Sequence, residues 1–314
     1  MTKRLSKLLI AGALMPAAFA PAVADAATTR VAVGIGDQSP AMFSDPNYQA
    51  LGIKKVRYVV RWDAMKNADL RQRAEAFVAA ARRSNDRVFF HVSTNDFTPK
   101  KATLPSLRTF RRDVGRLVRH FRKKGVREWG VWNEANHKSQ PTWDNPRRAA
   151  QYFREMKRLC KGCTLVGLDV LDQAGVERYI RRWFSALPRS YRRSSIRVGI
   201  HNYSDTNRKR SSGTRSIIRT VKSRNRRATF WLTETGGVVN LSAKSFPCNE
   251  ARAANRIGYM FTLARKFRRD IDRIYPYSWF GEDCNGFDAG IVSSGGVPRP
   301  SYATFKSRAR SFTR

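Results

Sequence analysis

Apolar positions along the chain alternate between two rhythms. Short runs, almost continuously apolar or apolar at every second position, extend from Arg30 to Gly36, Lys55 to Trp62, Arg87 to Ser93, Trp129 to Trp132, Thr164 to Val170, Ile196 to Tyr203, Phe230 to Leu232 and Arg273 to Phe280. Between them lie stretches with apolar residues three and four apart and basic residues elsewhere. One runs from Asp69 to Ser84, with Leu70, Ala74, Phe77, Val78 and Ala81 on one stripe; another runs from Pro105 to Lys124, with Phe110, Val114, Leu117, Val118 and Phe121. Similar stretches run from Pro146 to Leu159, Val176 to Ser185, Thr214 to Ser223, Glu250 to Phe267 and onward from Ser301, and a shorter one lies near Tyr48. The first rhythm is that of buried strands and the second that of amphipathic helices. Their alternation predicts an α/β fold, a parallel sheet covered by helices. Eight strand–helix units are the count of a closed (β/α)8 TIM barrel, and other α/β sheets seldom reach it.

Two of the strands end in a carboxylate. Gly130-Val131-Trp132 runs into Asn133-Glu134, and Phe230-Trp231-Leu232-Thr233 runs into Glu234. A charged group at the tip of a buried strand is costly unless something uses it. In such barrels, functional groups gather at the strand C-termini. A paired set of acids there is the requirement of retaining glycoside hydrolysis, with one acid/base and one nucleophile about 5–5.5 Å apart.

Composition adds the compartment. Lys3, Arg4 and Lys7 precede an apolar stretch from Leu8 to Ala20, followed by small-x-small sites at Ala22-Val23-Ala24 and Ala24-Asp25-Ala26. Residues 1–27 therefore read as an export signal, leaving 28–314 as one barrel domain. No later run is long enough to span a membrane. Cys160, Cys163, Cys248 and Cys284 suit two disulfides in an oxidising space. Of three pairings, Cys160–Cys163 with Cys248–Cys284 is favoured, because the latter two fall in successive loops on one barrel face. Zinc is the alternative for the Cys-x-x-Cys, but no second ligand pair accompanies it.

The formal net charge is +37. Arg and Lys are spread over nearly every predicted helix (Arg71, Arg73, Arg111, Arg112, Arg181, Arg182, Arg268 and Arg269 among them) rather than clustered among aromatics as in nucleic-acid modules. They read as solvated outer faces whose field attracts anionic polymers or cell surfaces in a salt-sensitive way. Export argues against a specific nucleic-acid partner.

With the acids on the fourth and seventh strands, the chain resembles the clan-A retaining glycoside hydrolases, the group of cellulases, mannanases and β-xylosidases. The resemblance spans the mature chain. It rests on Trp132-Asn133-Glu134 and Thr233-Glu234, with weaker support from Arg61, His201-x-Tyr203, Trp279 and the tail from Ala289 to Tyr302, where a hairpin precedes the last helix. It implies Glu134 as acid/base, Glu234 as nucleophile, a carbohydrate substrate, no cofactor and no metal, in a chain expected to act as a monomer. Burial among Trp129, Trp132 and Phe residues would raise the pKa of Glu134, and a cation such as Arg61 with a hydroxyl such as Tyr203 would keep Glu234 ionised. Asn133 is placed to hold a sugar 2-hydroxyl and Trp279 to offer a sugar platform. His201 shares a strand face with Tyr203. His91 and Trp62 line the pocket or pack beneath it, and His137 with Asn136 reach its edge. Asp37 reads as a turn former. A non-catalytic barrel that binds polysaccharide or an anionic envelope is the alternative.

Overall fold

The computed structural model describes residues 29–313, so the expected export segment lies outside the described residues. The apolar runs form the parallel strands β1 (Thr29–Val33), β2 (Ile35–Gly36), β3 (Lys55–Arg61), β4 (Arg87–Ser93), β5 (Glu128–Gly130), β6 (Thr164–Leu171), β7 (Arg197–His201), β8 (Thr229–Thr235), β9 (Ile271–Pro276) and β10 (Phe312–Thr313). From β2 to β9 neighbours in the sheet are neighbours in the chain, and β9 then pairs with β1. Because β1 and β2 are two pieces of one strand, with β1 on β9 and β2 on β3, the two ends of the sheet meet and the ring closes. The interruption is Gly34, where a Cβ would lie 2.5 Å from the Tyr275 ring and 2.7 Å from the Lys55 carbonyl oxygen. Closure removes the sheet edges that would otherwise need cover.

The expected helices form at Ala68–Arg83, Leu107–Lys123, Pro146–Leu159, Val176–Ser185, Ser212–Arg224, Glu250–Lys266 and Pro300–Ala309. Several start at a side-chain cap as the chain leaves a loop: Asn67, Ser106, Asn145 and Asn249 each accept from a backbone N–H three residues on. Several strands end short of expectation, the sixth at His201 rather than Tyr203. The fourth run leaves the ladder at Gly130 rather than Trp132, and the last stops at Pro276, which has no N–H to continue a ladder. The short β10 pairs with β1, which the sequence pattern did not announce. In the tail, Val292 bridges Pro298 in antiparallel fashion, forming the expected hairpin ahead of the last helix.

Two cores result. One lies between sheet and helices, where Phe90, Trp129 and Phe121 pack together. The other is a small plug inside the barrel, made of Phe89 from β4, Val166 from β6, Trp231 from β8 and Tyr275 from β9. The next lumen-facing side chains above that plug build the site.

The cysteines pair as Cys160–Cys163 and Cys248–Cys284. The second joins the loops that follow β8 and β9 across 36 residues, the first spans only 3. By loop-closure entropy the long bridge contributes about 4 kcal/mol and the short one about 2. Thermal unfolding of Cys248→Ser/Cys284→Ser should therefore shift further than that of Cys160→Ser/Cys163→Ser. Equal shifts would contradict the entropic account.

Candidate functional site

Glu134 and Glu234 meet at the C-terminal mouth of the barrel. One oxygen of each lies within 4.8 Å of the other and of His201 Nδ1. His201 ends β7 and donates to Glu134 Oε1 at 3.0 Å, with Glu234 Oε2 3.7 Å from the same nitrogen. Both carboxylates keep a small opening to solvent, 17% for Glu134 and 12% for Glu234, so a ligand can reach them.

Glu234 is held from two sides. Arg57 donates to Oε2 at 2.7 Å and the Tyr203 hydroxyl to Oε1 at 3.1 Å. Arg57 also donates to Asn133 Oδ1 at 2.6 Å and, through Nε, to His91 Nδ1 at 3.3 Å. Its side chain is wholly buried. A buried guanidinium is tolerable only with its donors engaged, and these three partners engage them. The cation expected at this carboxylate was Arg61, and the structure corrects that. Arg61 lies at the end of β3 and forks onto Asp63 at 3.1 Å through both nitrogens, partly in solvent. Arg57 shares its strand face and stands four residues deeper, where the lumen narrows onto Glu234.

Glu134 stands on a backbone with φ of 44°, a left-handed conformation uncommon outside glycine. Its N–H donates to Asp169 Oδ1 at 2.8 Å, which pins that conformation. Asp169 also accepts from the Thr233 hydroxyl and lies 3.0 Å from His201 Nε2, an ion-pair contact off the hydrogen-bond line. Asp169 was missed as a site residue. A register slip in β6 between Val166 and Leu168 lets Val166 and Asp169, three apart, face the lumen together, which strict alternation would forbid. Room for it comes from Gly199, where a Cβ would lie 2.0 Å from Asp169 Oδ2.

The electrostatics differ from expectation. Burial opposes a charged His201, but Asp169, Glu234 and Glu134 around it outweigh burial and push its pKa up to about 10. Burial raises Glu134, yet the His201 hydrogen bond and the His201 and His137 charges prevail and hold it below the ordinary carboxylate range. Trp129 and Trp132 do not enclose it. They pack outward, Trp129 on Phe90 and Trp132 on Tyr152. Asp169 is likewise held low, burial being overcome by His201, His91 and Arg57. Burial pushes His91 down to about 3, and Arg57 donating into Nδ1 fits a neutral ring.

These shifts give a pH signature. His201 gains its proton more readily folded than unfolded, so its contribution is complete below about 6.5 and is lost as pH rises toward about 10. The depressed Asp169 contributes above its ordinary 3.8 and loses that contribution in acid. Urea unfolding from pH 5 to 10 should show wild-type stability falling more steeply above 6.5 than that of His201→Gln. Parallel profiles would mean that His201 is not protonated.

Tyr203 opens the short helix Tyr203–Asn207 after β7 rather than extending the strand, and still reaches Glu234. His137 is at the rim, its Nδ1 3.9 Å from Glu134 Oε2. Asn136 clamps its loop to β6, its amide bonding both N–H and C=O of Leu171, and also lines the open groove beside His137. Trp279 is not a platform. It is fully buried, donates Nε1 to Asp45 at 2.9 Å and packs on Tyr48. Its backbone N–H and that of Phe280 bind Asp37, which anchors two loops. Partly open aromatics at the mouth include Tyr277, whose carbonyl oxygen accepts from Tyr203 at 3.4 Å, and Phe287, which packs edge-on against Tyr203. Trp62 is buried beneath Lys66 and packs rather than lines. His91 lies under the carboxylates, with Gly130 leaving it space.

Although the sequence carries no metal-ligand spacing, folding brings His91, Asp169 and His201, and Glu134, His201 and Glu234, into ligating distance. Their donor chemistry suits a proton better than a cation. His201 binds a proton tightly, Arg57 occupies His91 Nδ1, and its guanidinium charge stands beside both sets. Such a cluster can instead present one carboxylate as a fixed anion and pass a proton through the other.

No protein-family model and no curated protein sequence matches the chain. Solved structures do. A xylanase from Paenibacillus barcinonensis superposes with a TM-score of 0.64 at 13% identity over 90% of this chain and 99% of that one. A GH39 enzyme from Xanthomonas axonopodis pv. citri gives 0.63 at 15% identity, covering 89% and 66% of the two chains. A glucosidase from Croceicoccus marinus gives 0.64 at 14%, covering 92% and 67%. In strand order, ring closure and these superpositions, the chain has the (β/α)8 barrel fold found in xylanase and glucosidase structures.

Proposed function

We propose that this protein is a retaining glycoside hydrolase that cleaves the O-glycosidic bonds of a poly- or oligosaccharide, with Glu134 as acid/base and Glu234 as nucleophile. The observation that carries the reading is the approach of Glu134 and Glu234 oxygens within 4.8 Å about His201. Carboxylates this close suit direct attack by one of them, whereas an inverting site holds the pair farther apart with a water between. The similarity of fold to xylanase and glucosidase structures agrees with it.

Arg57 and Tyr203 keep Glu234 anionic and aimed. As Glu234 bonds to the anomeric carbon, the glycosidic C–O bond breaks and the departing oxygen takes a proton from Glu134. In the empty site the shared proton resides on His201, and the 3.0 Å hydrogen bond to Oε1 is the path by which Glu134 receives it. As bond formation consumes the Glu234 charge, it ceases to hold the proton on His201, which leaves through Glu134 with the departing oxygen, so that Glu134 is ionised once Glu234 is esterified. A water then gives a proton to Glu134, attacks the anomeric carbon and releases Glu234. Asn133, whose oxygen accepts from Arg57, offers its NH2 as a donor to a sugar hydroxyl.

An exported protein with two disulfides fits this work on extracellular polymers, and among the described residues no helix is long and apolar enough to cross a membrane. Reducing-sugar release from a panel of neutral and acidic polysaccharides, with the anomer of the first product followed by NMR, tests the reading. Retention of configuration supports it. Binding to polymer without any release would favour the non-catalytic barrel instead.

A further inference from the structure

Beside the acid/base residue, the barrel mouth continues into a groove of about 470 Å³. His137 belongs both to this groove and to the carboxylate cluster, since its ring lies 3.9 Å from Glu134. Its lining includes Lys138, Trp143, Arg178 and Arg182 together with one carboxylate, Asp144. Arg178 and Arg182 are one turn apart on Val176–Ser185 and so share a face. That helix starts at Gly175 in a left-handed conformation without a side-chain cap, and Gly175 itself lines the groove.

Some basic residues elsewhere are neutralised: Arg111 and Arg158 both hold Glu155, and Arg112 and Lys66 both hold Asp113. Among the described residues, no ion pair engages Lys138, Arg178 or Arg182. Trp143 is 45% exposed, although most large aromatics here are buried. An open indole beside fork-shaped guanidinium groups matches a ring with an apolar face and a carboxylate at its edge.

We infer that this groove is a leaving-group-side subsite for an anionic sugar, one bearing a uronate carboxylate. The side follows from the proposed function, on which the inference rests: the acid protonates the departing oxygen, so the leaving sugar lies over Glu134 and runs on past His137. Indole stacking holds the ring while Arg178, Arg182 and Lys138 select its carboxylate. The net charge of +37 steers such polymers to the mouth, and the groove is where that general attraction becomes specific.

The test compares two probes with one backbone, cellotriose and its C6-oxidised tri-uronate, by calorimetric titration of Glu234→Gln protein in about 50 mM salt, where screening is weak. The tri-uronate should bind at least about tenfold more tightly than cellotriose. Arg178→Ala/Arg182→Ala should erase that preference, while Arg268→Ala/Arg269→Ala, which removes equal charge from another face, should preserve it. Equal affinity for the two probes, binding of neither, or equal losses in the two double variants would overturn the subsite. Because the readout is binding, it is separate from turnover. A uronate preference in a protein whose wild type releases no sugar would sink the hydrolase reading and leave the groove an anionic-sugar site.

Discussion

Glu234→Gln should lower kcat/KM by at least about four orders of magnitude, about 5–6 kcal/mol of barrier, while leaving the fold intact. Glutamine keeps a carbonyl for Arg57 and an NH2 that can donate to the Tyr203 oxygen, so both partners of the native carboxylate stay bonded. What disappears is the anion that attacks carbon. In Glu234→Ala, added azide should restore turnover, and the glycosyl azide should have inverted configuration, because the small nucleophile attacks directly from the vacated side. The corresponding Glu134→Ala should retain activity only toward leaving groups that need no proton, and azide there should give the retained product. More than a tenth of wild-type activity in Glu234→Gln would remove Glu234 from the nucleophile role.

Arg57→Met should destabilise the protein by about 3–5 kcal/mol, since it removes a wholly buried guanidinium and strands the Glu234 charge. It also leaves Asn133 and His91 without their common donor. Lysine is no substitute: a point charge on a flexible stem cannot reach Glu234, Asn133 and His91 at once. Arg61→Ala is the contrasting variant. Its half-open pair with Asp63 contributes about 0–1 kcal/mol, and its loss should spare activity. Urea unfolding with parallel kinetics checks both. Comparable losses in the two variants would mean that Arg61, too, acts at the carboxylate.

Those two arginines show where sequence reading stops. Arg57 and Arg61 have the same chemistry, the same strand and the same face. Their depth along the barrel axis, which decides which one meets Glu234, is set by strand tilt and by side chains arriving from β8. Trp279 teaches the same lesson from the other direction. It carries the right chemistry for a platform, but Asp45 and Tyr48 from the loop after β2 enclose it, leaving Tyr277 at the mouth. Asp169 had a visible signal, a lone carboxylate in an apolar strand, and the cost argument applied to Glu134 would have found it. Alternation hid its direction, because the slip in β6 turns it inward.

By itself the sequence determined what local physics controls. The periods of two and 3.6 set the strand–helix alternation, the side-chain caps set helix starts, and acids at the ends of two apolar runs marked the strand tips. Tertiary structure alone decided which groups touch. Electrostatic character in particular came only with folding. Glu134 is held low rather than raised because His201, distant in sequence, closes on it, and burial strengthens a charge pair as readily as it penalises a lone charge.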